Sequence, residues 1–236
     1  MSERSGKVDP RSKAIAVHEE IVAASGPLFL IFGGMAKRKM MPPFEFQKIS
    51  RCLDSNRIFF RDPNQCWYHA GLPGIGNSID GVASFIKTRI QQINPSRVVF
   101  MGNSMGGYAS ILFSAILNLG DVIAFAPQTY LSPTKRFQQG DKRWSRAIFR
   151  TYAKSLFRRQ AKFFDLRNVL NHSPVNARSI QIYVSSDCRL DASHCTNIAD
   201  FPEVEIHDAK QGGHDVIQRL RESGELRSIL LKNRAA

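Results

Sequence analysis

Short runs of consecutive apolar residues recur along this chain, separated by longer stretches in which apolar and polar residues follow a helical period. Such runs, rich in β-branched and aromatic residues, are typical of strands that are buried on both faces of a sheet. Apolar residues three or four positions apart predict amphipathic helices at 79–93 and 108–117. The predicted strands are 28–32, 58–60, 98–101, 122–126, 180–184 and 204–207.

The alternation of strands and helices predicts an α/β fold, with a mostly parallel sheet and helices on both of its faces. In such sheets, reactive and ligand-binding residues lie at the carboxyl ends of the strands. The 236 residues, 43% of them hydrophobic, fit one domain that spans 1–236. We expect only the ends, 1–12 and 232–236, to be flexible.

One long connection interrupts this alternation of strands and helices. More than fifty residues separate the strands 122–126 and 180–184, far more than a single crossover helix needs. The segment of about 128–178 is therefore predicted to be a helical insertion, which we expect to cover the site as a lid. Six large apolar residues are predicted to form one face of it: Trp144, Ile148, Phe149, Tyr152, Leu156 and Phe163.

The insertion also carries most of the net charge of +13. Residues 128–170 hold eleven lysines and arginines against two aspartates, a net charge of +9. These basic residues either attract an anionic substrate or solvate a helical face. Interleaved aromatic residues also suit nucleic acid or an anionic membrane surface, but the sequence has no nucleic-acid-binding motif. We therefore expect no nucleic-acid partner.

The four cysteines are too few for a disulfide scaffold and form no close metal-binding pair. Cys188 and Cys195, with Asp191 and His194 between them, are spaced too widely for a zinc site, so we expect no metal and no cofactor. The amino-terminal residues lack the apolar stretch of a signal peptide, and no segment is long enough for a transmembrane helix. The sequence therefore predicts a cytoplasmic protein. It indicates no oligomeric state.

A G-x-S-x-G motif, Gly102-Asn103-Ser104-Met105-Gly106, lies where the strand 98–101 meets the helix 108–117. A serine on so tight a turn projects its hydroxyl beyond the end of the strand. Only small residues two positions to either side allow the strand and the helix to approach that closely. The motif makes Ser104 a candidate nucleophile, although a serine in this position can also simply cap the helix.

A serine hydroxyl needs a neighbouring imidazole to accept its proton and a carboxylate to orient that imidazole. His214 follows two glycines after the last predicted strand, and Asp187 lies three residues beyond the strand 180–184. Asp191 is the alternative acid, and its position further from the strand end makes Asp187 the preferred one. Either aspartate could instead cap the helix that follows.

On these residues the chain resembles the α/β-hydrolase superfamily, from residue 28 to about 231. It is especially similar to bacterial members whose elbow reads G-N-S-M-G-G-Y, some of which are associated with the biosynthesis of surface polysaccharides. The resemblance implies that Ser104 is the nucleophile, His214 the general base and Asp187 the acid. The order Ser, Asp, His along the chain is the order of that superfamily.

The resemblance also implies an oxyanion hole, built from the backbone N–H of Gly34 or Met35 after the first strand and that of Met105 after the nucleophile. The pair of glycines there could also serve only to turn the chain. The two strands that usually open the superfamily's sheet are not evident before residue 28. The sequence therefore predicts a reduced version of the fold, and His18 is expected in an amphipathic helix.

These features predict a serine hydrolase that acts on an acyl ester or thioester through an acyl-enzyme intermediate. The expected partner is a small-molecule or glycan substrate that carries an acyl group, and the basic insertion makes an anionic substrate one alternative. Two alternatives remain open. The same three residues would serve an acyltransferase, and the fold would also serve a non-catalytic module that binds a polyanion or a protein.

Overall fold

The computed structural model describes residues 15–35, 44–157, 160–173 and 179–235. Within these ranges seven strands form one sheet in the order β1-β3-β2-β4-β5-β6-β7, in which only β1 runs antiparallel to its neighbour. The strands are β1 (Val17–Glu20), β2 (Leu28–Phe32), β3 (Asn56–Phe60), β4 (Val98–Asn103), β5 (Asp121–Phe125), β6 (Ile180–Val184) and β7 (Val204–Asp208).

Eight α-helices and three short 3-10 helices connect the strands in the described ranges. The α-helices are α1 (Ile79–Ile93), α2 (Met105–Leu117), α3 (Pro133–Gln139), α4 (Ser145–Phe157), α5 (Leu166–Asn171), α6 (Arg189–Thr196), α7 (Val216–Glu222) and α8 (Glu225–Ala235). The 3-10 helices are Ile49–Leu53, Ala161–Phe164 and Gly213–Asp215. None of the helices described is both long and apolar enough to cross a membrane.

The sheet is the central layer between two helical layers. Alternate residues of β2 point to opposite faces, and all five are buried. Leu30 and Phe32 belong to the hydrophobic core that includes α1 and α2, whereas Phe29 and Ile31 belong to the core that includes α7 and α8. Because both faces are covered, the central strands are apolar at nearly every position, and this explains why the sequence reveals them. The predicted α/β architecture is confirmed.

The edge strand β1 is a correction to the sequence analysis. One strand does precede residue 28, and His18 lies in it rather than in a helix, while the sheet remains the reduced version that the sequence predicts. The four residues of β1 are all half-buried and mostly polar, so they carry no apolar pattern. Ion pairs support this strand: Glu20 lies 2.9 Å from Arg57 of β3, and Glu19 lies 2.5 Å from Arg89 of α1.

The connection between β5 and β6 holds α3, α4, a 3-10 helix and α5, and we call residues 133–171 the inserted segment. Its predicted single apolar face is wrong, because Phe149 and Leu156 are exposed while Ile148 and Phe163 are buried. Adjacent helical positions are about 100° apart, so α4 cannot turn both residues 148 and 149 inward. At the carboxyl end, α8 continues through residues 232–235, where we expected a flexible end, and residues 1–12 lie outside the described ranges.

Candidate active site

Ser104 occupies a strained turn between β4 and α2. Its backbone has φ 52° and ψ −111°, which residues other than glycine rarely adopt. Two backbone hydrogen bonds hold it there. The Ser104 N–H donates to the Phe125 carbonyl at 2.8 Å, and the Ser104 carbonyl accepts from the Tyr108 N–H at 3.0 Å. The serine is therefore fixed at the carboxyl end of the sheet, on a tight strand-to-helix turn that we call the elbow.

The two glycines of the motif are required by close backbone contacts. A Cβ at Gly102 would lie 2.3 Å from the carbonyl carbon of Gly106, and a Cβ at Gly106 would lie 2.1 Å from the carbonyl oxygen of Phe32. Both distances are far shorter than any non-bonded contact allows. The spacing of the motif thus reflects how closely α2 packs against β4 and β2.

A chain of hydrogen bonds connects Ser104 to a buried carboxylate. Ser104 Oγ lies 3.1 Å from His214 Nε2, and His214 Nδ1 lies 2.8 Å and 3.1 Å from the two carboxylate oxygens of Asp191. When Nδ1 carries the proton and donates to Asp191, Nε2 presents its lone pair to the serine hydroxyl. The His214 side chain remains 21% exposed, whereas Asp191 is buried. This arrangement is suited to activating a serine.

Asp187, the acid preferred from the sequence, lies elsewhere. Its Oδ1 accepts from Ser185 Oγ at 2.6 Å and from the Gly213 N–H at 3.0 Å, so it anchors the loop that carries His214. Asp191 is in the first turn of α6, and helical side chains lean towards the helix amino terminus. That direction returns the Asp191 carboxylate to the strand end. Distance along the chain from the strand end was therefore a poor guide to the acid.

Arg143 of the inserted segment is a site residue that the sequence analysis missed. Its Nη1 donates to Asp191 Oδ1 at 2.6 Å and lies 3.4 Å from His214 Nδ1. Burial alone would raise the pKa of Asp191, but the hydrogen bonds from His214 and Arg143 outweigh it and lower that pKa. Nothing in the sequence separates Arg143 from the other basic residues of the segment, because its partner lies 48 residues away.

Arg143 is itself held by a buried group of charges around Asp141. Arg143 Nε lies 3.1 Å from Asp141 Oδ1, and Arg136 Nη1 lies 3.0 Å from Asp141 Oδ2. His194 accepts the Thr129 N–H at Nδ1, so its Nε2–H donates to Asp141 at 3.2 Å. Burial would raise the pKa of Asp141, yet the hydrogen bonds from His194 and Arg143 lower it. The inserted segment is thereby connected to the candidate acid through charged pairs.

The predicted oxyanion hole is only partly compatible with the structure. The Gly34 N–H donates to Glu45 Oε2 at 2.8 Å, so it is already occupied. A Cβ at Gly34 would lie 2.8 Å from the Asn103 carbonyl oxygen, which explains the glycine by close packing against the elbow. Met105 is the first residue of α2, where a backbone N–H has no acceptor within the helix. Met35 and Met105 are left as candidate donors.

The other histidines near this end of the sheet are engaged in packing. Burial lowers the pKa of His69 to about 3 and also lowers that of His194. His69 Nε2 lies 3.0 Å from Tyr108 Oη, which in turn donates to the Phe163 carbonyl at 2.6 Å. In the described part of the chain, no three His, Cys, Asp or Glu side chains are grouped as metal ligands would be.

Solved structures of low sequence identity share this architecture. A chain of the Glycosylation Associate Protein (Gap123) complex from Streptococcus agalactiae matches 90% of this chain with a TM-score of 0.65 and 15% identity. The present chain spans 42% of that one. The capsule O-acetyltransferase of Neisseria meningitidis serogroup A matches over 91% of this chain and 90% of its own, with a TM-score of 0.64 and 15% identity.

The fluorophosphonate-binding serine hydrolase FphF of Staphylococcus aureus matches over 89% of this chain and 85% of its own. Its TM-score is 0.60 and its identity 12%. No protein-family model and no curated protein sequence matches this chain significantly. Similarity at these identities concerns the fold: this chain has the α/β-hydrolase fold, as the sequence predicts.

Proposed function

We propose that this protein is a serine acyl hydrolase in which Ser104 is the nucleophile, His214 the general base and Asp191 the acid. One observation carries the proposal: an unbroken chain of hydrogen bonds, 3.1 Å from Ser104 Oγ to His214 Nε2 and 2.8 Å from His214 Nδ1 to Asp191. The strained backbone of Ser104 supports it, because strain of this kind persists where a side chain must be aimed.

In the proposed reaction, Ser104 Oγ bonds to the acyl carbon of an ester while its proton passes to His214 Nε2. The carbonyl oxygen becomes an oxyanion, for which the Met105 N–H is the proposed donor. The tetrahedral intermediate then expels the alcohol, which takes the proton from His214 and leaves an acyl-enzyme. Water then attacks the acyl-enzyme in the same way, with His214 as base, and the carboxylic acid is released. Asp191 stabilises the imidazolium that forms in each half-reaction.

Acyl transfer is a second candidate, because the capsule O-acetyltransferase matches this chain over nearly the whole length of both. The chemistry up to the acyl-enzyme is the same, and the two reactions differ only in whether water or a second hydroxyl attacks it. The proposed substrate is accordingly an acyl ester or thioester of a small molecule or glycan. The products formed with and without an added alcohol distinguish hydrolysis from transfer.

Labelling with a fluorophosphonate probe tests the proposal, since such probes phosphonylate activated serines. We expect wild-type protein to be labelled, and Ser104→Ala and His214→Ala each to abolish the label. Ser145→Ala and His172→Ala, at exposed positions in α4 and after α5, are the matched controls and should leave it unchanged. Folded wild-type protein that is not labelled, or a label that survives Ser104→Ala, would contradict the proposal and favour a non-catalytic module.

A further inference from the structure

The basic residues of the inserted segment that the structure describes fall into two groups. Lys135, Arg136, Arg143 and Arg167 pair with carboxylates at distances of 2.5 to 3.0 Å. A second group forms no ion pair with any residue in the described ranges, although every member lies close to this first group in sequence. That second group is Lys142, Arg146, Arg150, Lys154 and Lys162, all of which are exposed.

The same segment exposes large apolar side chains. In the described part of the chain, the three most exposed of these are Phe157 at 92%, Phe137 at 89% and Phe149 at 67%. Leu156 is also 53% exposed. The exposure of several phenylalanines on one segment is unfavourable in water and indicates a surface that binds a partner or a membrane.

On α4 the exposed cations and the exposed apolar side chains occur on one side of the helix. Ile148, Thr151 and Ser155 are buried against the body of the protein. The helical period places Arg146, Arg150 and Phe157 on the opposite side, with Phe149 and Leu156 beside them. We call these five residues the outer face of α4. Exposed phenylalanine and leucine side chains can enter a membrane interface, and neighbouring arginines are attracted to anionic lipids.

We propose that the outer face of α4 docks on a lipid bilayer that contains anionic lipids. The unpaired cations supply attraction to the negative surface, and the phenylalanine rings enter the boundary between headgroups and acyl chains. Arg150 and Lys154 also line a cavity of about 290 Å³ between α4 and residues 64–70, on the flank of the helix next to its buried side. Phenylalanine rings that project from a convex helix can insert into the deformable interior of a bilayer. This proposal does not depend on the activity of Ser104.

Co-sedimentation with vesicles tests the proposal. Wild-type protein should sediment with vesicles in which phosphatidylglycerol replaces half of the phosphatidylcholine, and not with phosphatidylcholine alone. Added salt should weaken the binding. The double variants Phe149→Ser/Phe157→Ser and Arg146→Glu/Arg150→Glu should each reduce it by at least about tenfold. Because all four positions are exposed, the melting temperatures should match wild type.

The matched controls are Val22→Ser and Lys87→Glu, an exposed apolar residue and an exposed cation outside the segment. They should bind as wild type does. Absence of binding to the phosphatidylglycerol vesicles would overturn the proposal, as would binding that survives both double variants. Equal loss in Lys87→Glu would also overturn it, because attraction would then follow net charge rather than this face. Binding to a DNA duplex without binding to the vesicles would assign the surface to nucleic acid instead.

Discussion

The elbow at Ser104 and the inserted segment contribute to one candidate site through different physical means. At the elbow, backbone sterics decide the geometry: Gly102 and Gly106 permit contacts that no Cβ would allow. In the inserted segment, charge decides it, because Arg143 pairs with both Asp191 and Asp141, and Asp141 pairs in turn with Arg136. The elbow is therefore expected to fail by steric disruption, and the inserted segment by loss of a charged partner.

The largest expected effect is at the elbow. Gly106→Ala should destabilise the fold by at least about 4 kcal/mol, because its Cβ would lie 2.1 Å from a backbone oxygen of β2 that cannot move independently. Urea unfolding measures the change. Gly26→Ala is the matched control, since the nearest atom to its Cβ would be 3.5 Å away. Equal stability of the two variants would show that the close packing of α2 is not a constraint.

The second-largest effect on stability is expected from removing the charge of Asp141, the carboxylate at the centre of the ion pairs of the inserted segment. Asp141→Asn should cost about 3 kcal/mol, because it leaves the buried guanidinium of Arg136 without a neutralising charge. Asp200→Asn, which removes the exposed partner of Arg167, should have no measurable effect on urea unfolding. If the two variants behaved alike, the buried charges would not be what holds the segment.

The pH dependence of stability distinguishes a buried histidine from the buried carboxylates of the candidate site. His69, packed against Tyr108 of α2, has its pKa lowered by burial from 6.5 to about 3. Below pH 6.5 the unfolded chain binds a proton that the folded protein excludes, so stability is lost as the pH falls towards 3. Between pH 7 and pH 5 this histidine should account for about 2 kcal/mol. His69→Gln should flatten the urea-unfolding stability over that range, and an unchanged slope would contradict the account.

The pKa values of Asp141 and Asp191 are instead lowered by their partners. Their contribution is fully present above their ordinary range near 3.8 and is lost only as the pH falls below it.

The smallest effect concerns the positioning of the acid. Arg143→Met should slow fluorophosphonate labelling by roughly tenfold, because Asp191 loses the guanidinium that orients it while its hydrogen bond to His214 remains. Arg146→Met, an exposed arginine of the same segment, should be labelled at the wild-type rate. Equal rates in both variants would show that Arg143 serves the fold and not the site.

The sequence predicted best the features that depend on residues close together along the chain. The strands β2 to β7 were all predicted, most clearly β2, β4 and β5, whose buried positions are almost all apolar, and Ser104 was visible because its glycines follow a steric rule. The edge strand β1 was missed because it is half-buried, polar and held by ion pairs. Asp191 and Arg143 depend on the direction of side chains brought together from distant segments, which the order of residues does not reveal.

The labelling rates of Asp191→Asn and Asp187→Asn test the central claim most directly. Asp191→Asn removes the charge that holds the His214 tautomer, and the rate should fall by on the order of 10³–10⁴-fold. Asp187→Asn keeps an oxygen that can accept the Gly213 N–H, so its rate should stay within a few-fold of wild type. The reverse order, with Asp187→Asn the slower variant, would contradict the assignment of Asp191 as the acid.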